Sequence, residues 1–126
     1  MLRLGLALVA GLALAGTAHA QDVANGENVF KKCRACHQVG PSARNAVGPK
    51  LNGLFGRKSG QIEGFNYSNA NKNSGVTWTE DVFAKYIEDP RKFMPGNKMA
   101  FAGVKDKKDI ADLTAFLKQF KADGSK

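Results

Sequence analysis

The chain has 126 residues and a formal net charge of +8, room for one domain and hardly two. That length, with no internal repeat and no apolar run long enough to span a bilayer, excludes a membrane protein, a repeat array and a large enzyme.

The first segment reads as a secretory signal peptide over residues 1–20. Arg3 gives a positive start, Leu4 to Ala15 is almost wholly apolar, and Ala18-His19-Ala20 is a small-residue cleavage pattern. Removing it leaves a domain of 106 residues, 21–126, with a charge of +7, because Arg3 is the only charge lost. Val, Leu, Ile and Phe together supply only 22 of those 106 positions, close to the level at which a chain struggles to fold alone. Eleven glycines, each costly to order, add to the deficit. A chain this short of aliphatic core is either partly disordered or folded around something that fills its interior.

Asp22 is placed to cap a helix from about Val23 to Phe30 or Lys32, with Gly26 and Phe30 on one face. Gly26 there permits close approach of a second helix. Next comes Cys33-Arg34-Ala35-Cys36-His37. C-x-x-C by itself reads as a disulfide, a redox dithiol or half a zinc site. The adjoining histidine makes it C-x-x-C-H, the attachment signature of c-type haem, in which two thiols form thioethers to the porphyrin. The rivals are weak. Zinc wants four ligands, and after export the chain keeps two Cys and one His. No parallel-strand run surrounds Cys33, as a thioredoxin-like site requires. A disulfide would close a very short loop and constrain little.

From Val39 to Val76 the sequence is rich in Gly, Asn, Ser and Pro and reads as loops with short turns. So long a stretch is suspect in a compact domain unless it wraps a ligand. Thr77-Trp78-Thr79-Glu80 fits a capping box for a helix ending by Asp89, with Val82, Phe83, Tyr86 and Ile87 on its buried stripe. With His37 the sole mature histidine, a second axial ligand falls to methionine, Met94 or Met99. A methionine is more often a core residue than a ligand, and the Pro95-Gly96 turn favours Met99. Ile110, Leu113, Phe116, Leu117 and Phe120 recur at helical spacing, so a last helix is expected from a cap at Asp106 to about Lys121. The expected architecture is all-α, three main helices and wrapping loops around one covalently attached haem, the first and last helices crossing near Gly26, Phe30 and Phe116.

The ordered series Cys33-Arg-Ala-Cys36-His37, Val47-Gly48-Pro49, Leu51-Asn-Gly-Leu54-Phe55-Gly56-Arg57, Gly64-Phe65-Asn66-Tyr67, Ala70-Asn71-Lys72-Asn73, Thr77-Trp78, Tyr86, Asp89-Pro90 and Pro95-Gly-Asn-Lys-Met99-Ala-Phe101-Ala-Gly103 resembles a class I cytochrome c of the bacterial cytochrome c2 type. The resemblance covers essentially all of residues 21–126. It implies the cytochrome c fold and one haem c attached through Cys33 and Cys36, with His37 and Met99 as axial ligands. It further implies that the Pro49 carbonyl accepts from the His37 imidazole and that Tyr86 bonds near the Met99 sulfur. Arg57, Tyr67 and Trp78 would surround a buried propionate, Asn71 would join a polar network, and Phe101 would cover the exposed haem edge. Residues alone would assign Trp78, Tyr67 and Phe101 to ordinary packing.

Six-coordinate iron leaves no open position for substrate, so the expectation is a soluble, monomeric periplasmic electron carrier and not an enzyme. Its implied donor is a quinol–cytochrome c reductase, its acceptor a photosynthetic reaction centre or a terminal oxidase. Lys31, Lys32, Lys50, Lys92, Lys98, Lys105, Lys107 and Lys108 flank the motifs and suit steering of acidic membrane complexes. Export and the lack of a nucleic-acid motif argue against nucleic-acid binding. The alternatives, a haem peroxidase or a gas-binding sensor, require that Met99 not be a stable ligand.

Overall fold

A computed structural model describes Gly11 and residues 21–126; the expected signal peptide, Gly11 apart, lies outside the described residues. Five helices follow one another among the described residues: α1 Val23–Phe30, α2 Asn69–Asn73, α3 Glu80–Glu88, α4 Pro90–Phe93 and α5 Lys107–Lys118. Each starts the same way. The side chains of Asp22, Ser68, Thr79, Asp89 and Asp106 accept from the backbone N–H three residues on, at 3.0 to 3.2 Å. Such caps satisfy donors that the first helical turn leaves unpaired, and each is worth about 1 kcal/mol.

The helix begun near Trp78 differs from the sequence expectation. Thr79, not Thr77, is its cap. Thr77 instead pairs with Lys58 in an isolated antiparallel bridge, flanked by Ser59 N–H to Val76 O at 2.8 Å and Trp78 N–H to Arg57 O at 2.9 Å. The backbone is still extended at Thr77, so helical geometry waits two residues. The last helix stops at Lys118, short of the expected Lys121. Gln119 and Phe120 bond back to Phe116 and Leu117 in tight turns, and the Phe120 carbonyl is taken by Gly53 N–H at 2.9 Å.

α1 and α5 cross where the sequence places the contact. A Cβ on Gly26 would run into the Asp112 carbonyl and come within 2.8 Å of Phe116 Cβ. Glycine in mid-helix costs about 1 kcal/mol, which the close approach offsets through burial of Phe30, Leu113 and Leu117. Phe30 and Phe116 rings lie 5.3 Å apart, and Phe116 continues to Phe120 at 5.3 Å. Asp112, 2 % exposed, locks the crossing. It accepts from Asp22 N–H at 2.8 Å, Asn25 Nδ2 at 2.8 Å and Lys108 Nζ at 2.6 Å. α3 packs on α5 and α4 through Phe83, Tyr86 and Ile87.

The glycine-rich middle is tied rather than loose. Buried Asn52 donates to Gly40 O and accepts from Gly40 N–H, both at 2.9 Å, in the manner of a paired strand residue. It contains one short helix, α2, that periodicity did not reveal. Among the described residues no helix is long and apolar enough to cross a membrane.

Candidate functional site

Cys33, Cys36 and His37 occupy the turn that continues α1. Cys33 N–H bonds to Phe30 O at 2.8 Å, and Cys36 and His37 N–H both return to Cys33 O, at 3.1 and 2.9 Å. Both thiols are unpaired and partly exposed. Burial, then the neighbouring Cys36, pushes the Cys33 thiol up to about 11 against the pull of Lys32. Little of it is thiolate near neutrality, which disfavours a redox dithiol. Among the described residues no group of three or more His, Cys, Asp or Glu is arranged to hold a metal ion.

The His37 ring is fixed from two sides. Its Nδ1 lies 2.7 Å from Pro49 O, and a carbonyl only accepts, so Nδ1 carries the proton and Nε2 the lone pair. Burial lowers the ring's pKa, opposed by the Pro49 bond and assisted by Arg57. Gly48 backs the ring so closely that a Cβ there would overlap it, lying 2.7 Å from Nδ1. Gly48 is in turn held by its N–H on Cys36 O at 2.7 Å.

Met99 lies on the irregular stretch between α4 and α5. Tyr86 Oη approaches its sulfur at 3.6 Å as donor. Burial pushes the Tyr86 hydroxyl up to about 12, so it stays protonated. The Tyr86 ring is wedged between Trp78 at 4.8 Å and Phe93 at 5.9 Å. Met94, the rival methionine, is 5 % exposed within the core cluster, whereas Met99 is only partly buried at its margin.

The remaining predicted residues fall into two polar groups and one apolar position. The half-buried Arg57 donates to Asn52 O at 3.0 Å, and Trp78 N–H bonds to the Arg57 carbonyl. Burial lowers the Arg57 pKa, and Tyr67 partly restores it. Tyr67 is buried and its Oη accepts from Ile62 N–H at 3.1 Å. Asn71 accepts from Ser59 Oγ and donates to Ser68 Oγ, both at 3.0 Å. Phe101 is partly buried against the core. Two contributors escaped sequence reasoning. Gly48 was readable only as part of a motif, and Asn97 as a polar residue after a Pro-Gly turn.

The donor set is one imidazole with a free lone pair, one thioether and two adjacent thiols. These are groups able to hold a covalently bound haem, and among the described residues the thioether sulfur has one further partner, the Tyr86 hydroxyl. A small all-α domain so equipped belongs chemically to the haem electron-transfer proteins.

Known proteins agree. The cytochrome c family profile matches residues 23–121. Cytochrome c2 of Blastochloris viridis is 66% identical over 109 residues, 86% of each chain. Cytochrome c2 of Rhodoblastus acidophilus is 56% identical over 107 residues, covering 85% of this chain and all of the relative. Among solved structures, cytochrome cH from Methylobacterium extorquens superposes with a TM-score of 0.73 at 41% identity, over 78% of this chain and 98% of its own. The chain belongs to the cytochrome c family, as a class I member of the bacterial cytochrome c2 type. It therefore carries one covalently attached haem c and acts as an electron carrier between redox partner complexes.

Proposed function

We propose that the chain is exported through residues 1–20 and works in the periplasm as a monomeric one-electron shuttle. Its donor is a quinol–cytochrome c reductase, and its acceptor a photosynthetic reaction centre or a terminal oxidase. Cys33 and Cys36 would hold the haem through thioethers, and His37 Nε2 and Met99 Sδ would be the protein ligands to its iron. Bound there, the haem supplies an iron couple that exchanges one electron between Fe(II) and Fe(III).

The surrounding chain tunes and shields. Pro49 fixes the His37 tautomer and raises its donor strength. The Met99 thioether favours the reduced state relative to more basic ligands. Arg57, Tyr67 and Trp78 offer donors and cover for a propionate, Asn71 extends a polar network on the same domain, and Phe101 shields the haem edge. Of the eight lysines, Lys108 is paired with Asp112 and Lys105 with the Glu88 carbonyl. Lys31, Lys32, Lys92, Lys98 and Lys107 are exposed and take part in no ion pair among the described residues. Unneutralised lysines steer an acidic partner, and this attraction weakens once salt shortens the Debye length to about 10 Å or less.

The observation that carries the reading is the Gly48–His37–Pro49 arrangement, which presents a neutral imidazole with Nε2 free next to two unpaired thiols. Absorption spectroscopy of the exported holoprotein tests it. The expected result is a narrow α-band on reduction and, when oxidised, the weak far-red band of sulfur–iron ligation. Covalent haem without the far-red band would remove Met99 as ligand and favour a peroxidase or a gas sensor. A protein lacking covalent haem in a host able to attach it would overturn the reading from Cys33 onward.

A further inference from the structure

The Asn97 side chain uses every hydrogen-bonding direction it engages to hold the Met99 loop. Its Nδ2 donates to Pro90 O at 2.9 Å and to Met94 O at 2.8 Å, the carbonyls of the first residue of α4 and of its C-cap. Its Oδ1 accepts from Met99 N–H at 2.8 Å. One planar amide thus joins α4 to the backbone of the residue two positions on. The fixing continues downstream. Phe101 N–H returns to Met99 O at 3.0 Å, and Val104 N–H bonds to Ile87 O at 2.8 Å.

The Met99 side chain itself has no such restraint. Met99 belongs to no helix, and the Tyr86 contact to its sulfur is long and uses a weak acceptor. No other side chain among the described residues bonds to the Met99 backbone. Cutting Asn97 back to Ala removes three bonds at once while leaving the core residues Met94 and Tyr86 in place.

We propose that Asn97 is the positioning residue that holds the Met99 sulfur in its ligating place, by clasping the Met99 backbone to α4. This rests on the reading of Met99 as axial ligand. In physical terms, the clasp sets the equilibrium between a closed loop, with the sulfur seated, and an open one.

Added imidazole measures that equilibrium in the oxidised holoprotein, because it binds only where the sulfur has left. Asn97→Ala should bind imidazole about tenfold more tightly than wild type, the equivalent of one or two lost net hydrogen bonds. Its far-red band should weaken while the covalent haem content stays the same. Asn97→Asp keeps the acceptor for Met99 N–H but loses both donors, and should fall between the two. Thr79→Ala, which removes the α3 cap, gives a control destabilised at a distance. It should melt earlier yet leave the imidazole affinity near wild type.

Unchanged imidazole affinity in Asn97→Ala would overturn the proposal, and so would an equal gain in Thr79→Ala, which would show general loosening only. Should wild type itself lack the far-red band, the ligand reading fails and the clasp with it. A normal wild type beside an indifferent Asn97→Ala sinks the clasp alone.

Discussion

His37 follows directly on the α1 turn, whereas Met99 stands in an irregular stretch between α4 and α5. The first side chain is held by steric contact and chain continuity. Gly48 presses on the ring, the Pro49 carbonyl accepts from its Nδ1–H, and Cys33 and Cys36 precede it on one turn. The second is held by a few hydrogen bonds, through Asn97 to its backbone and Tyr86 to its sulfur. Steric contact in a packed interior yields only at the cost of moving neighbours, while a hydrogen bond exchanged with water is worth on the order of 1 kcal/mol. On the proposed ligation, the His37 flank should therefore be stiff and the Met99 flank the place where ligation gives way first.

The sharpest way to break that contrast is Gly48→Ala. The added methyl must occupy space that the His37 ring fills, and the ring cannot retreat without losing Pro49. The substitution should cost about 3 kcal/mol, at the upper end of overpacking effects. Denaturant unfolding of the holoprotein measures it through the shift in midpoint. A midpoint within experimental scatter of wild type would show that the His37 flank is as yielding as the Met99 flank.

Next in size is Asp112→Asn, which undermines the α1–α5 crossing on which the His37 turn rests. The carboxylate serves Asp22 N–H, Asn25 and Lys108, so its replacement should cost about 1–3 kcal/mol. Its pH signature is distinctive. The hydrogen bond from Lys108, with further help from Asp22 and Asn25, holds the carboxyl down to about 2 from an ordinary 3.8, against the upward push of burial. A pKa depressed in the folded state gives stability that is complete above about 4 and is lost as the pH falls toward 2. The acid limb of unfolding should thus flatten between pH 4 and pH 2 in Asp112→Asn. An unchanged slope there would assign acid lability to other carboxyls.

The same contrast governs what the sequence made legible. Capping by Asp22 and Asp106, the Gly26–Phe30–Phe116 contact and the C-x-x-C-H turn were readable because each depends on local spacing or on one periodic face. The start of α3 was not. Thr77 looks like a cap from its neighbours, but its pairing with Lys58, nineteen residues away in sequence, keeps it extended. α2 and α4 were too short for any periodic signal, at five and four residues. The family resemblance supplied the pairing of His37 with Pro49 and of Tyr86 with Met99, which no spacing rule yields. Asn97 stood inside a quoted motif, yet its task depends on three backbone atoms whose positions only the fold brings within reach.

The smallest expected effect is that of Tyr86→Phe, and it tests the weak flank at its weakest bond. The ring would keep its contacts with Trp78 and Phe93, so only the hydroxyl 3.6 Å from Met99 Sδ is lost. Because burial holds that hydroxyl protonated up to about pH 12, it is a donor throughout the physiological range and the effect should not vary with pH there. A donor withdraws electron density from the sulfur. Without it Met99 becomes the better donor to iron, which favours the oxidised state and lowers the reduction potential. A bond to so weak an acceptor supports a change below about 1 kcal/mol, or about 40 mV for one electron. Redox titration should find a small downward shift with stability almost unchanged. An upward shift would mean that the hydroxyl acts through something other than the sulfur. A Tyr86→Phe variant that binds imidazole more tightly than Asn97→Ala would reverse the ranking, making the sulfur contact rather than the backbone clasp the main restraint on this flank.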